Sequence, residues 1–407
     1  MTTPPNGSIL FSSRHGVQLI AVACAAAMSL ISPNVPGAPH VPADDSAVVE
    51  QLPKSFLALR QLKHGKATSN AQVRLEDALA NARRYIELGQ TYSDPRAYGY
   101  AQSALGKWWS ADPAPTQVLV MRARILQFRH EFSAALAQLE AALQADQYDP
   151  DAWLLFASIS QVQGNVRAAR GACMKLIPMA DPVVGATCAA STAALGGRSK
   201  DAEALLAMTL NEATGTAPAE RTWAWTTLAE MRARSGNNAS AEAAFKKALQ
   251  ISADDVYARA AYADLLLDLN RSREVRALLR DPTQADALLL RTTIAAQRNG
   301  DPDAKSLQDN LAERFVEARA RGDQTHLREQ ARFALEVEHD TKRALDLAQR
   351  NFEVQREPAD ARTLLEAARA AGDIRAAQPA IDWLRHTGIV APRLQQLARA
   401  ATPGGAG

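Results

Sequence analysis

From about residue 82 the chain returns to one pattern of large and small residues roughly every 34 positions, and this period constrains the fold more than any other feature. A unit of that length holds two helices and a turn. It cannot bury its apolar face alone and must stack on its neighbours. In the first unit Tyr85, Leu88, Gly89 and Tyr92 mark one helical run, Ala101 and Leu105 a second, and Asp112-Pro113 ends it. Later units start at residues 116, 150, 183, 222, 256, 286, 325 and 358. Runs of β-branched residues with period-two alternation are missing, and alanine, the best helix former, dominates the periodic stretches. The chain is therefore expected to be all-α.

The slots repeat in kind as well as in spacing. Leu119, Ala123, Leu126, Ala135, Leu139 and Ala142 fill them in the second unit, and Trp153, Phe156, Ala157, Gly164, Ala169 and Cys173 in the third. The fifth has Trp225, Leu228, Ala229, Gly236, Ala241, Phe245 and Ala248; the ninth keeps Leu364, Leu365, Ala368, Gly372, Ala377 and Ile381. This pattern resembles the tetratricopeptide-repeat family, above all in AEAAFKKALQISADD of the fifth unit. The resemblance covers roughly residues 82–390 and implies a right-handed α-solenoid of about nine helix-turn-helix units. The sixth unit is expected to have a short second helix ended by Asp281-Pro282. The seventh places Lys305 and Asp309 in slots that want apolar residues, so it is either out of register or rotated. Longer spacings after the fourth and seventh starts imply insertions, the first at residues 211–218.

The N-terminal segment reads as an address. Residues 17–31 form an apolar run of 15, shorter than the ~20 needed to span a bilayer and within the range of an export-signal core. Residues 1–31 are thus expected to be an export signal or a membrane anchor of a bacterial envelope protein. Cys24 follows Ala21-Val22-Ala23, a partial lipobox without its leucine, and reads first as a small residue of the signal core. Residues 32–45 carry Pro33, Pro36, Pro39 and Pro42 and form a linker. Residues 46–81 are read as N-terminal capping helices, and 391–407 as a C-terminal capping helix and disordered tail. The expected location is the cell envelope, facing the periplasm, with membrane contact only through the N-terminal segment.

The family resemblance implies that first helices line a concave groove. Its partner-binding candidates are Arg83 and Gln90 in the first unit, Arg124 and Gln127 in the second, Ser158 and Gln161 in the third, then Trp223, Glu230 and Asp264. Ile86, Val120, Leu154, Thr226, Tyr257, Leu267, His326, Glu329, Phe333 and Glu336 occupy comparable slots. Such a surface suits an extended peptide or a protein edge. Trp223 is either an anchor or a residue packed under the 211–218 loop, since Trp225, two positions on, takes the core slot. The lysine and asparagine clamp by which some family members grip a C-terminal carboxylate is missing: Ile86, Gln90 and Met121 stand there.

Cys173 and Cys188 flank the turn at Asp181-Pro182 at similar heights, so they either bridge or sit as two small buried thiols. With a net charge of +2 and 22% charged residues, the chain lacks the basic field of a nucleic-acid binder. The seven histidines are scattered and read as solvated helix residues, and no CxxC, HExxH, GxSxG or phosphate loop occurs. No metal, no cofactor and no catalytic residue is expected. The function so implied is a non-catalytic scaffold for protein partners of assembly, secretion or surface-polysaccharide machinery, with a catalytic subunit built on the solenoid as the alternative.

Overall fold

A computed structural model describes residues 74–92, 95–280, 285–320 and 325–401. The export or anchor segment, Cys24, the linker and most of the residues 46–81 lie outside these, as do Asp281-Pro282 and the C-terminal tail. Among the described residues there are nineteen α-helices and no strand. They form nine consecutive pairs: α1 (Leu75–Tyr92) with α2 (Arg96–Leu105), α3 (Thr116–Phe128) with α4 (Phe132–Ala145), and α5 (Pro150–Val162) with α6 (Val166–Leu176). Next come α7 (Pro182–Leu195) with α8 (Ser199–Glu212), α9 (Pro218–Arg234) with α10 (Asn238–Ile251), and α11 (Val256–Asp268) with α12 (Ser272–Leu278). The last three are α13 (Asp286–Asn299) with α14 (Ala304–Ala320), α15 (Leu327–Glu336) with α16 (Thr341–Val354), and α17 (Pro358–Ala371) with α18 (Gln378–Thr387). A single helix, α19 (Pro392–Ala400), follows. This is the expected α-solenoid, and most first helices begin within a few residues of the starts read from the period. The first pair opens earlier, since α1 runs straight through residue 82.

Local chemistry sets the pairs. Asp149, Asn165, Asp181, Asp255 and Asp340 each cap a helix by accepting a backbone N–H with the side chain. Proline opens α5, α7, α9, α17 and α19, where its missing N–H costs nothing. In every pair from the second to the ninth, the turn between the two helices holds one residue of positive φ: His130, Gly164, Gly197, Gly236, Asn270, Gly300, His339 and Gly372. Only glycine enters that region freely, and Asn and His are the best substitutes. His130 and His339 are therefore turn residues and not the solvated helix residues expected of them.

Small residues carry the close packing. Ala123, Ala157, Ala190, Ala229 and Ala263, on successive first helices, are all fully buried against large partners such as Leu139, Leu206 and Phe245. In the first pair Gly89 backs directly onto Tyr98, whose ring a Cβ there would meet at 2.7 Å. The seventh pair resolves the register ambiguity: Lys305 and Asp309 form an exposed ion pair, and Leu311, Phe315 and Ala318 carry the buried seam of α14. The sixth pair's α12 is two turns long, as expected. The loop before α9 is tied down by Thr216, whose hydroxyl donates to the Asp181 carboxylate at 3.1 Å.

Cys173 and Cys188 are joined, with Cα atoms 5.6 Å apart. The bridge links α6 to α7 within a small apolar cluster of Ala157, Ala172, Leu176 and Val184.

Candidate functional site

Each first helix touches both the second helix of its own pair and the first helices before and after it. Its buried arc is consequently wide, and several slots assigned to the groove lie inside it. Ile86, Val120, Thr226, Leu267 and Phe333 are buried in helix contacts and are corrected to core positions. Phe333 meets Phe315 edge-on, and the Thr226 hydroxyl returns to the carbonyl of Thr222. Trp223 is partly buried and packs against the cluster around the Cys173–Cys188 bridge. Trp225 is buried, with Lys247 Nζ 4.3 Å from its ring centroid.

The first three pairs leave polar side chains uncommitted. Arg83 and Gln90 on α1 are exposed, and Gln127 on α3 and Ser158 on α5 are half-buried; none of the four has a side-chain hydrogen bond or ion pair among the described residues. Arg124 makes one loose ion pair, to Asp151 at 3.3 Å. Gln161 is held from the next pair, donating to the hydroxyls of Ser191 and Thr192 at 3.0 and 2.7 Å.

The later pairs differ. There the side chains of α11 reach arginines of α15, α17 and α19. Asp264 accepts from Arg291 at 2.6 Å and from Arg332 at 2.9 Å, and Arg332 also holds Glu336. Asp268 takes Arg362 and Arg393, both at 2.7 Å, and those arginines share Glu366. Arg328 lies among Glu329, Glu357 and Asp360, with Asn351 donating to Asp360 at 2.8 Å. Glu230 accepts from the Tyr257 hydroxyl at 2.8 Å. Of the two acids offered to a partner, Asp264 is held by two arginines, and Glu230 takes one hydrogen bond from a phenol.

Enclosure sets the acidities. Burial and the neighbouring Asp360 push the Glu357 carboxyl up to about 7. Glu230 is also raised by burial. Against burial, which would raise it, Arg328 and Arg291 hold Glu329 down at about 2. The sign of each shift is set by whether the arginines in reach outweigh burial and neighbouring carboxylates. Sequence reasoning missed these arginines. Their signal was the recurrence of Arg291, Arg332 and Arg362 on the first helices of consecutive pairs, after two aspartates on α11.

Among the described residues no group of three or more His, Cys, Asp or Glu is placed to hold a metal ion. No helix of those residues is long and apolar enough to cross a membrane.

No protein-family model matches the chain, and no curated protein does. Among solved structures it is similar to the Cut9–Hcn1 hetero-tetramer of the APC/C, at 12% identity over 85% of this chain and 75% of that chain, with a TM-score of 0.46. It is similar to a Rap protein complexed with Competence and Sporulation Factor, at 12% identity over 84% and 92%, with a TM-score of 0.46. A tetratricopeptide repeat protein from Parabacteroides merdae is 13% identical over 72% and 98%, with a TM-score of 0.37.

Proposed function

We propose that this chain is a non-catalytic scaffold that takes an extended segment of a protein partner along the first helices of its first three pairs. One observation carries the reading: on α1, α3 and α5 Arg83, Gln90, Gln127 and Ser158 have no side-chain partner among the described residues and Arg124 has one loose ion pair, whereas the acids and arginines of the later pairs are interlocked. Uncommitted Arg83, Gln90, Gln127 and Ser158, with the loosely held Arg124, form hydrogen bonds to a peptide backbone or carboxylate without first breaking internal ones.

The scaffold works in the bacterial cell envelope, outside the cytoplasm. Two features support this part. Residues 17–31 have the length of an export-signal core, and the Cys173–Cys188 pairing belongs in an oxidising compartment. The partners then belong to assembly, secretion or surface-polysaccharide machinery.

The test is capture from membrane extracts under mild crosslinking, comparing the parent chain with an Arg83→Glu, Arg124→Glu variant. The parent is expected to retain a discrete protein partner, and the variant to lose most of it at unchanged helicity. Equal capture by both chains removes this face from consideration. Turnover of a substrate by the purified chain, with no partner recovered, overturns the scaffold reading altogether.

A further inference from the structure

Away from the first-helix face, the turns of the third and fourth pairs meet the eighth and ninth. The Arg356 N–H donates to the Val162 carbonyl at 2.7 Å. Leu195 of α7 packs into the apolar cluster of the last pairs. The approach is close enough to forbid side chains. A Cβ at Gly164 would lie 2.9 Å from Trp383 Nε1, and one at Gly197 would lie 2.7 Å from the Gly388 carbonyl oxygen. These two glycines thus answer two demands, the left-handed turn and the contact.

Beside this seam opens a cavity of about 1230 Å³. Its wall is in part apolar, with Val166, Val354 and Pro379 all reachable from solvent. Its rim is cationic. Arg167 and Arg170 lie three positions apart and so share a face of α6, Arg198 comes from the next turn, and Arg356 and His386 stand opposite. Arg167, Arg170 and Arg198 are exposed and make no ion pair or side-chain hydrogen bond among the described residues. Two acids share the rim. Asp382 already accepts from Gln378 and Arg385, which leaves Glu353 as the one acid there without a described partner. The N-terminal ends of α6 and α8 also lie at this rim and add their positive dipole ends. Within the wall, Trp383 is 7% exposed and its buried indole N–H, facing Gly164, has no acceptor. A buried donor of this kind is costly unless something accepts from it.

We infer that this seam is a second binding site, separate from the first-helix face, and that it takes an acidic peptide segment carrying a bulky apolar side chain. Carboxylates of such a segment reach Arg167, Arg170 and Arg198, and the apolar side chain rests on Val166, Val354 and Pro379. The volume exceeds the ~300–1,000 Å³ of ordinary small-molecule pockets, which favours a peptide. Single-stranded nucleic acid is disfavoured because the aromatic rings here, Phe352 and Trp383, are buried and offer no open face on which a base could stack.

The experiment is fluorescence anisotropy on the full chain with a fluorescein-labelled peptide of alternating glutamate and leucine. The parent chain is expected to bind it. Arg167→Glu, Arg170→Glu, Arg198→Glu should weaken binding roughly tenfold, the sum of three rim ion pairs. The rim variant should still capture the protein partner of the first-helix face from membrane extracts as the parent does, which separates failure of this site from failure of the scaffold face. Circular dichroism checks the fold. If the triple reversal unfolds the chain, the glutamine versions of the same three positions replace it, with a loss of affinity still expected. Equal affinity of parent and rim variant overturns the proposal. So does equal binding of a lysine–leucine peptide, or stronger binding of an oligothymidylate.

Discussion

The first three pairs and the last four are built from the same helical hairpin, yet their first-helix faces are in opposite states. On α1, α3 and α5 Arg83, Gln90, Gln127 and Ser158 stand unpartnered, and among the described residues the one ion pair between these helices, Arg124 with Asp151, is loose. On α11 to α19 Asp264 and Asp268 gather four arginines from α13, α15, α17 and α19. The difference lies in how closely the first helices converge. Where they converge, acids and arginines 68 and 94 residues apart become neighbours, and a slot that faces inward is spent on the protein itself. A position on the first helix is therefore a necessary condition for binding a partner, and an uncommitted side chain is the further one.

The Cys173–Cys188 bridge sits at the border of the two regions, and its loss should have the largest effect on stability. Closing a loop with a sequence separation of 15 contributes about 3 kcal/mol in the chain-entropy model. Cys173→Ala with Cys188→Ala should lower the urea midpoint accordingly, and a reducing agent should lower that of the parent but not of the variant. A parent that is insensitive to reduction would show that the border needs no staple. Next in size is Asp264→Ala. It leaves the buried Arg291 with backbone carbonyls alone and Arg332 with Glu336 alone, so that two guanidinium groups lose their shared carboxylate. Asp264 is itself 28% exposed, so the expected loss is about 2 kcal/mol, below the range for a fully buried pair. The matched change Arg124→Ala in the open region should cost under ~0.5 kcal/mol. Equal costs at the two positions would break the contrast.

The repeat itself was legible because its signals are local: a period, a proline at a helix start, a glycine at a turn. Even there, three of the eight left-handed turns use His130, Asn270 or His339, which no glycine search finds. The register of the seventh pair stayed open because Lys305 and Asp309 fell in the counted slots while the buried seam ran through Leu311 and Phe315. The face was legible only in its open part. Whether Asp264 is free depends on Arg332, two pairs on, and the angle between successive pairs is not encoded in any one of them. Burial of Ile86, Val120 and Phe333 escaped notice for the same reason, since a first helix packs on both neighbours as well as on its own partner. The seam cavity joins turns from the third and fourth pairs to the eighth and ninth, a distance over which a repeat pattern carries no information.

The smallest effect expected is electrostatic, and it tests whether the interlocked region behaves as one unit. Glu357 holds its proton up to about 7 in the folded chain, through burial and the adjacent Asp360, whereas an unfolded glutamate releases it near 4.5. Between those values the folded state binds more protons, so this group's contribution to stability is present at low pH and is lost as the pH rises through 7. Glu329 runs the other way. Arg328 and Arg291 overcome its burial and hold it at about 2, so its contribution is present above about 4.5 and is lost as the pH falls toward 2. The two windows do not overlap, which lets one substitution address one of them. Glu357→Gln fixes the neutral form while Arg328 keeps Glu329 and Asp360. Parent and variant should match near pH 4.5, and the variant should be the more stable at pH 8. The gain should be a few tenths of a kcal/mol, because Glu357 is 37% exposed and solvent screens it. Urea midpoints across that range decide it. Parallel curves would mean that Glu357 titrates as a free surface acid, and that the acids and arginines of the last pairs are neighbours without being coupled.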